Sequence, residues 1–238
     1  MPPHQPLSGC WWSRGALHRA CYYQPLTPHP SALLVNTGEV ASALDKKCVP
    51  SEIEDNPGFE VCFSSLLLPV NETGATRPAE VLLSGGAQNF DAVVHMGLEN
   101  GAKGLKLETV GANALGSRMS ERFPAIPGAP SLLPITADLS NLMIPKLLDD
   151  LGQEIWSRDA GLFFCNEVLY RTMHAIRSTP LILRGTKSTL LPAIFIHLPC
   201  PNDVPPNEKH LCPTTNATSE LIRMVGRVAA RLVAPNMQ

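Results

Sequence analysis

The sequence predicts an α/β fold: a three-layer α/β/α sandwich around a mostly parallel open sheet, built as a single domain. Three observations carry that reading. Apolar runs of strand length alternate with segments of helical period. The chain has 238 residues, 44% of them hydrophobic, enough for one sizeable core. No internal repeat or low-complexity block divides it.

The elements follow in order. Residues 1–30 are rich in Pro, His and Trp without a period, and read as an atypical, poorly ordered segment preceding an α/β domain over 31–238. Ser31–Leu44 reads as a short amphipathic helix, with Leu33, Leu34, Val40 and Leu44 on its apolar side. Val61–Val70 is an apolar run of strand type, and Pro78–Gly86 a short helix entering a Gly-Gly stop. Phe90–Gly97 reads as a buried strand ending at a glycine, followed by a glycine-rich loop or twisted strand over Gly97–Ala114. Gly116–Pro130 is a proline-rich loop, and Leu139–Leu151 an amphipathic helix. Ala160–Phe164 reads as a short strand delivering the helix Cys165–Arg177. Leu190–Leu198 is another buried strand, Pro201–Pro213 a loop, and Ser219–Val233 a closing helix with Leu221, Met224, Val225, Val228 and Leu232 on one stripe.

A net charge of −2 and 5% aromatics argue against nucleic acid or an anionic membrane as an obligatory partner. No run reaches the roughly 18 apolar residues of a membrane span. The first residues, Met1-Pro2-Pro3-His4-Gln5-Pro6, do not read as a secretory leader. Seven cysteines without a CxxC pair predict free thiols rather than a disulfide scaffold, hence a reducing compartment and a cytoplasmic location. Metal binding is not expected, because the chain has no HExxH and no Cys or His pairs at ligand spacing. Ser84-Gly85-Gly86 lacks the lysine and spacing of a phosphate loop, and no cofactor is called for.

Chemistry concentrates at the predicted carboxyl ends of strands, where open α/β sheets carry their sites. Cys165 stands in the first turn of a helix, where the dipole favours thiolate, the nucleophilic form. A cysteine nucleophile needs a base and the base an orienting group. His197 ends an apolar strand and is the best candidate base; His95 is its rival by the same argument. His174 lies nine residues after Cys165, about 13 Å along one helix, too far to serve. Residue types alone leave the plainer reading standing: a hydrogen-bonded rim histidine and a buried cysteine.

Three segments then resemble one family, the cysteine peptidases of the pyroglutamyl-peptidase I (pyrrolidone carboxyl peptidase) type. Its nucleophile segment, A-G-x-(F/Y)-x-C-N-x-x-x-Y-x-x-x-H, is matched by Ala160, Gly161, Phe163, Cys165, Asn166, Tyr170 and His174. Its F-I-H-(hydrophobic)-P strand is matched by Phe195-Ile196-His197-Leu198-Pro199. Its glutamate, eleven positions after a strand-ending glycine that here resembles Gly97, falls on Glu108, with Val110 and Asn113 as in the family's E-x-V-A-x-N and Gly111 in place of alanine. The resemblance covers roughly residues 60–235 and implies catalytic Cys165, His197 and Glu108. It implies substrate-binding Tyr23, Leu98 and Asn166, and hydrolysis of the N-terminal pyroglutamyl residue of peptides without a cofactor. A homo-oligomer is compatible with it.

The chain departs from the family in two places. The Cys165–His197 connection is longer than in bacterial relatives, which implies an insertion within Ser178–Leu190. The family opens with an apolar strand and a T-G-F-x-P-F-G-G-like loop whose phenylalanines line the substrate ring pocket; here Ala20 and Tyr23 stand at those places and the glycines are missing. The expectation is therefore a missing or degraded first strand. It carries an alternative function: an impaired family member acting by binding or regulation.

Overall fold

The computed structural model describes residues 18–26, 36–50, 60–85, 90–99, 105–118, 123–142, 156–161, 163–178, 183–184, 189–199 and 215–233. A seven-stranded sheet forms the centre, in the order β2-β3-β1-β4-β11-β5-β8. Its strands are β1 (His18–Leu26), β2 (Cys48–Pro50), β3 (Glu60–Pro69), β4 (Ala92–Glu99), β5 (Lys106–Glu108), β8 (Trp156–Ser157) and β11 (Ala193–Pro199). The β3–β1–β4–β11 run is parallel, as is β5–β8. Two pairings, β2 with β3 and β5 with β11, are antiparallel. Smaller antiparallel pairs join β6 (Val110–Ala112) to β7 (Leu132–Pro134) and β9 (Leu183–Arg184) to β10 (Thr189–Leu190). The β9–β10 pair falls within the segment expected to carry an insertion.

Helices cover both faces. On one, α2 (Glu72–Leu83) packs against α3 (Phe164–Ser178); on the other, α1 (Asn36–Leu44) packs against α4 (Thr215–Val233). The three expected layers are present, and the sheet is mixed but mostly parallel. Burial on both faces explains why β4 and β11 are apolar almost throughout: Ala92, Val93, Val94, Met96, Ala193, Ile194, Phe195, Ile196 and Leu198 have no exposed surface. The predicted stripe of α4 is buried in the same core, with Leu221 and Leu232 nearest its rim.

Several expectations change. A first strand is present: β1 lies inside the sheet between β3 and β4, within the segment expected to be atypical. Its sequence, with His18, Arg19, Gln24 and Pro25 among aromatic and small residues, is not the apolar run that usually signals a central strand. Helix α2 starts six residues before Pro78, because Asn71 caps it: its Oδ1 accepts the Gly74 N–H at 2.9 Å. The strand expected at Ala160–Phe164 ends earlier, at Ser157. The chain turns there, with Gly161 at φ 76° and its N–H donated to Asp159 Oδ1 at 2.9 Å. Of the helix expected at Leu139–Leu151, Leu139–Leu142 forms a 3₁₀ turn and the remainder lies outside the described residues. The Pro201–Pro213 loop and residues 1–17 lie outside them as well.

The cysteine expectation is overturned at one pair. Edge strand β2 folds back on β3 with Cys48 opposite Cys62, and the two form a disulfide. Their separation of 14 residues gives no local signal, since only the strand register brings them together. Cys165 is free. The free-thiol argument for a reducing compartment is thereby removed. Among the described residues no helix is long and apolar enough to cross a membrane.

Candidate active site

The site forms where β4 and β11 end side by side, with His197 in register with Gly97 and Pro199 with Glu99. Strand β5 flanks β11 on its other side, placing Glu108 opposite Phe195 and Lys106 opposite His197. This is the carboxyl edge of the parallel strands, as expected for such sheets.

Three predicted residues meet here. His197 Nδ1 lies 2.7 Å from Glu108 Oε1, both side chains being buried. With Nδ1 engaged by the carboxylate, Nε2 is the ring atom available to Cys165, whose thiol is near enough to raise the pKa of the imidazole. Burial would lower the pKa of His197. The hydrogen bonds and charges of Cys165 and Glu108 outweigh it and hold the ring at about 9, well above the ordinary 6.5. The imidazolium is therefore the stable form at neutral pH. The second oxygen of Glu108, Oε2, is buried without a hydrogen-bond partner among the described residues.

The rival base is set apart by its surroundings. His95 is buried, its Nε2 lies 2.9 Å from Thr172 Oγ1, and burial pushes its pKa down to about 3. It is a neutral packing histidine separated from His197 by the Phe195 ring, whose centroid lies 6.1 Å from one imidazole and 4.8 Å from the other. His174 faces Ser178 on its own helix, its Nδ1 3.3 Å from the serine Oγ.

Several contacts aim Cys165. A Cβ at Gly97 would stand 3.1 Å from Cys165 Sγ and 2.8 Å from Phe195 Cζ, so only glycine leaves the sulfur its place over β4. A Cβ at Gly116 would stand 2.7 Å from Phe164 N, where α3 begins. Glu167 Oε2 accepts the Gly116 N–H at 2.6 Å, and its Oε1 pairs with Arg171 at 2.7 Å. Tyr170 donates its hydroxyl to Pro130 O at 2.5 Å. Together these fix the start of α3, where Cys165 keeps a backbone N–H that the helix itself cannot satisfy.

The expected substrate residues fare differently. Asn166, expected to bind substrate, is buried with both ends of its amide committed to Ala112. Its Oδ1 accepts the Ala112 N–H at 2.7 Å and its Nδ2 donates to Ala112 O at 2.8 Å. Its place in the motif is explained by tying α3 to β6. Leu98 is half-buried at the end of β4, next to the site. Of Tyr23 only the backbone is described, paired with Leu66 on one side and His95 on the other. Asn113 organises the following loop, accepting the Ile126 N–H at 2.9 Å and donating to Ile126 O at 2.9 Å.

Sequence reasoning missed Glu99. Its Oε2 lies 3.7 Å from His197 Nδ1, while its Oε1 accepts from Lys106. Only register and sheet order reveal it. Glu99, Glu108 and His197 offer ligand atoms within 4.8 Å of one another, a set able to hold a cation, although the Lys106 ammonium already occupies one face of Glu99. Glu167 was also missed, yet an acid in the first turn of α3 was a readable signal.

No family model matches the chain. It is 31% identical over 120 residues to the curated pyrrolidone-carboxylate peptidase of Pyrococcus furiosus, an alignment covering 46% of this chain. The chain spans about half (51%) of that relative's length. The solved structure of a mutant pyrrolidone carboxyl peptidase from the same hyperthermophile superposes with a TM-score of 0.64 at 23% identity, covering 92% of this chain and 100% of the other. The pyrrolidone carboxyl peptidase from Thermococcus litoralis superposes with a TM-score of 0.65 at 19% identity, covering 93% of this chain and 95% of the other. The chain has the fold of the pyrrolidone carboxyl peptidases, and its resemblance to that family, first read from the cysteine, histidine and glutamate segments, is borne out by a curated relative and by solved structures.

Proposed function

We propose that the protein is a cysteine peptidase that removes an N-terminal pyroglutamyl residue from peptides. The observation that carries this reading is the buried Glu108–His197 pair with Cys165, at a helix start, near enough to the imidazole to raise its pKa. A thiolate at Cys165 attacks the pyroglutamyl carbonyl carbon, forming the C–S bond and a tetrahedral oxyanion. Backbone N–H groups at the start of α3, including that of Cys165, are the donors placed for that charge. His197 passes its Nε2 proton to the leaving peptide amine as the C–N bond breaks, leaving a thioester. Water attacks the thioester, the neutral imidazole takes its proton, and pyroglutamate departs with the thiolate and imidazolium restored. Glu108 fixes the tautomer and offsets the imidazolium charge throughout.

The ring to be bound is neutral and flat, so its pocket should be mostly apolar with a few amide partners. Leu98 and Tyr23 are the residues proposed to line it, while Asn166 is better read as a support for α3. A pyroglutamyl-coumarin substrate tests the proposal, with Cys165→Ala as control. Release of coumarin by the parent chain alone is expected; equal turnover by both would remove Cys165 from the mechanism. The N-terminal departure from the family motif supports a second reading, a member that binds without cleaving. Iodoacetamide labelling of Cys165 at pH 6 no faster than free cysteine would favour it.

A further inference from the structure

The carboxylate that sequence reasoning missed stands in an arrangement the triad does not account for. Glu99 ends β4 and Lys106 begins β5, and these strands flank β11 on opposite sides. Their ion pair therefore reaches across the strand that carries His197, with Lys106 in register with His197 itself. The two oxygens of Glu99 divide their tasks: Oε1 takes the ammonium, and Oε2 faces His197 Nδ1 at 3.7 Å. Glu108 Oε1 holds the same nitrogen at 2.7 Å.

We propose that Glu99 is a second carboxylate for the His197 ring, a positioning residue that shares Nδ1 with Glu108 and whose pull on it is limited by Lys106. The inference rests on the peptidase reading for its functional meaning, but the contact itself does not. A lone carboxylate at this place would compete with Glu108 and draw the ring off Cys165. The ammonium holds Glu99 beyond hydrogen-bond reach while leaving its field on the ring. Glu99 and Lys106 are each about one-third exposed (33% and 35%), so solvent weakens the effect without removing it. The charged and titratable groups facing the ring are Glu99 from β4, Glu108 and, through Glu99, Lys106 from β5, and Cys165 from α3. His95 stands beyond Phe195.

The test is an NMR titration of the His197 ring in the full chain, with turnover of a pyroglutamyl-coumarin substrate measured alongside. Glu99→Gln should lower the ring's titration by about half a pH unit, and Lys106→Met should raise it by a similar amount. The Lys106→Met rise should vanish when Glu99→Gln is also present. In turnover, Glu99→Gln should cost about two- to threefold alone, and about tenfold in a Glu108→Gln background, where Glu99 is the remaining carboxylate. A titration unmoved by Glu99→Gln and by Lys106→Met, with turnover losses that simply multiply, overturns the inference while leaving an active peptidase. A chain without turnover whose His197 titration still responds to both substitutions sinks the peptidase reading and leaves the inference intact. Should Glu99→Gln fail to fold, Glu99→Asp, whose shorter side chain withdraws the carboxylate from Nδ1, takes its place in the same cycle: a smaller Lys106→Met rise in the Glu99→Asp background supports the inference, and an equal rise overturns it.

Discussion

Removing the charge of Glu108 while keeping its shape isolates what that residue does. In Glu108→Gln the amide oxygen can still accept the Nδ1 hydrogen, so ring orientation is largely retained and the carboxylate charge is lost. The native ring is held at about 9 against an ordinary 6.5, a difference corresponding to about 3 kcal/mol in favour of the imidazolium. Burial opposes that rise, and Cys165 and Glu108 together produce it. Loss of one supporting charge with burial unchanged should bring the titration down by one unit or more, toward or below 6.5. At pH 7.5 a full return to 6.5 would cut the imidazolium fraction about tenfold. The sign for stability follows from linkage. A raised folded-state pKa contributes stability fully present below about 6.5 and lost as pH rises through about 9, and the variant should lose most of that dependence. The assays are the pH profile of Cys165 alkylation by iodoacetamide and urea denaturation of both proteins between pH 6 and 10. An alkaline limb at the same pH in parent and variant would refute the assigned role of Glu108.

Other outcomes follow from the seating of α3 and from the sheet edge. Asn166→Ala strands a half-buried N–H and C=O at Ala112 and should cost about 1–3 kcal/mol in urea denaturation, with loss of turnover. Gly116→Ala drives a methyl group into the backbone of Phe164 and should slow Cys165 alkylation at least tenfold; an unchanged rate would show that α3 is not fixed by this approach. Cys48→Ser or reduction by dithiothreitol opens the Cys48–Cys62 link and should lower stability by about 2–4 kcal/mol; an unchanged denaturation midpoint would contradict the bond. Asn71→Ala removes the cap of α2 and should cost about 1 kcal/mol, measured the same way.

The legible parts of this fold share a physical cause. Strands buried on both faces, such as β4 and β11, carry unbroken apolar runs, and α4 carries a long stripe, so periodicity alone found them. Strand β1 was not legible, because its polar and aromatic residues do not look like a central strand. The turn before α3 read as a strand because Ala160–Phe164 is apolar, whereas Gly161 adopts a conformation that breaks it. At the site, Cys165, His197 and Glu108 were readable through motif resemblance, since each lies in a short segment of fixed spacing. Glu99, Lys106 and the Cys48–Cys62 pair depend on register between strands, which no local pattern encodes. Asn166 was expected at the substrate through the resemblance, and only the position of Ala112 shows what its amide holds.

The central claim is that Cys165 attacks a bound pyroglutamyl carbonyl with His197 beside it. A pyroglutamyl chloromethyl ketone places that ring and an alkylating carbon in one molecule, and its site of attachment can be read by peptide mass spectrometry. The account predicts one adduct per chain, on Cys165, formed far faster than with chloroacetone and slowed at least tenfold by His197→Ala. Labelling of another cysteine, or of Cys165 no faster than by chloroacetone, would contradict it.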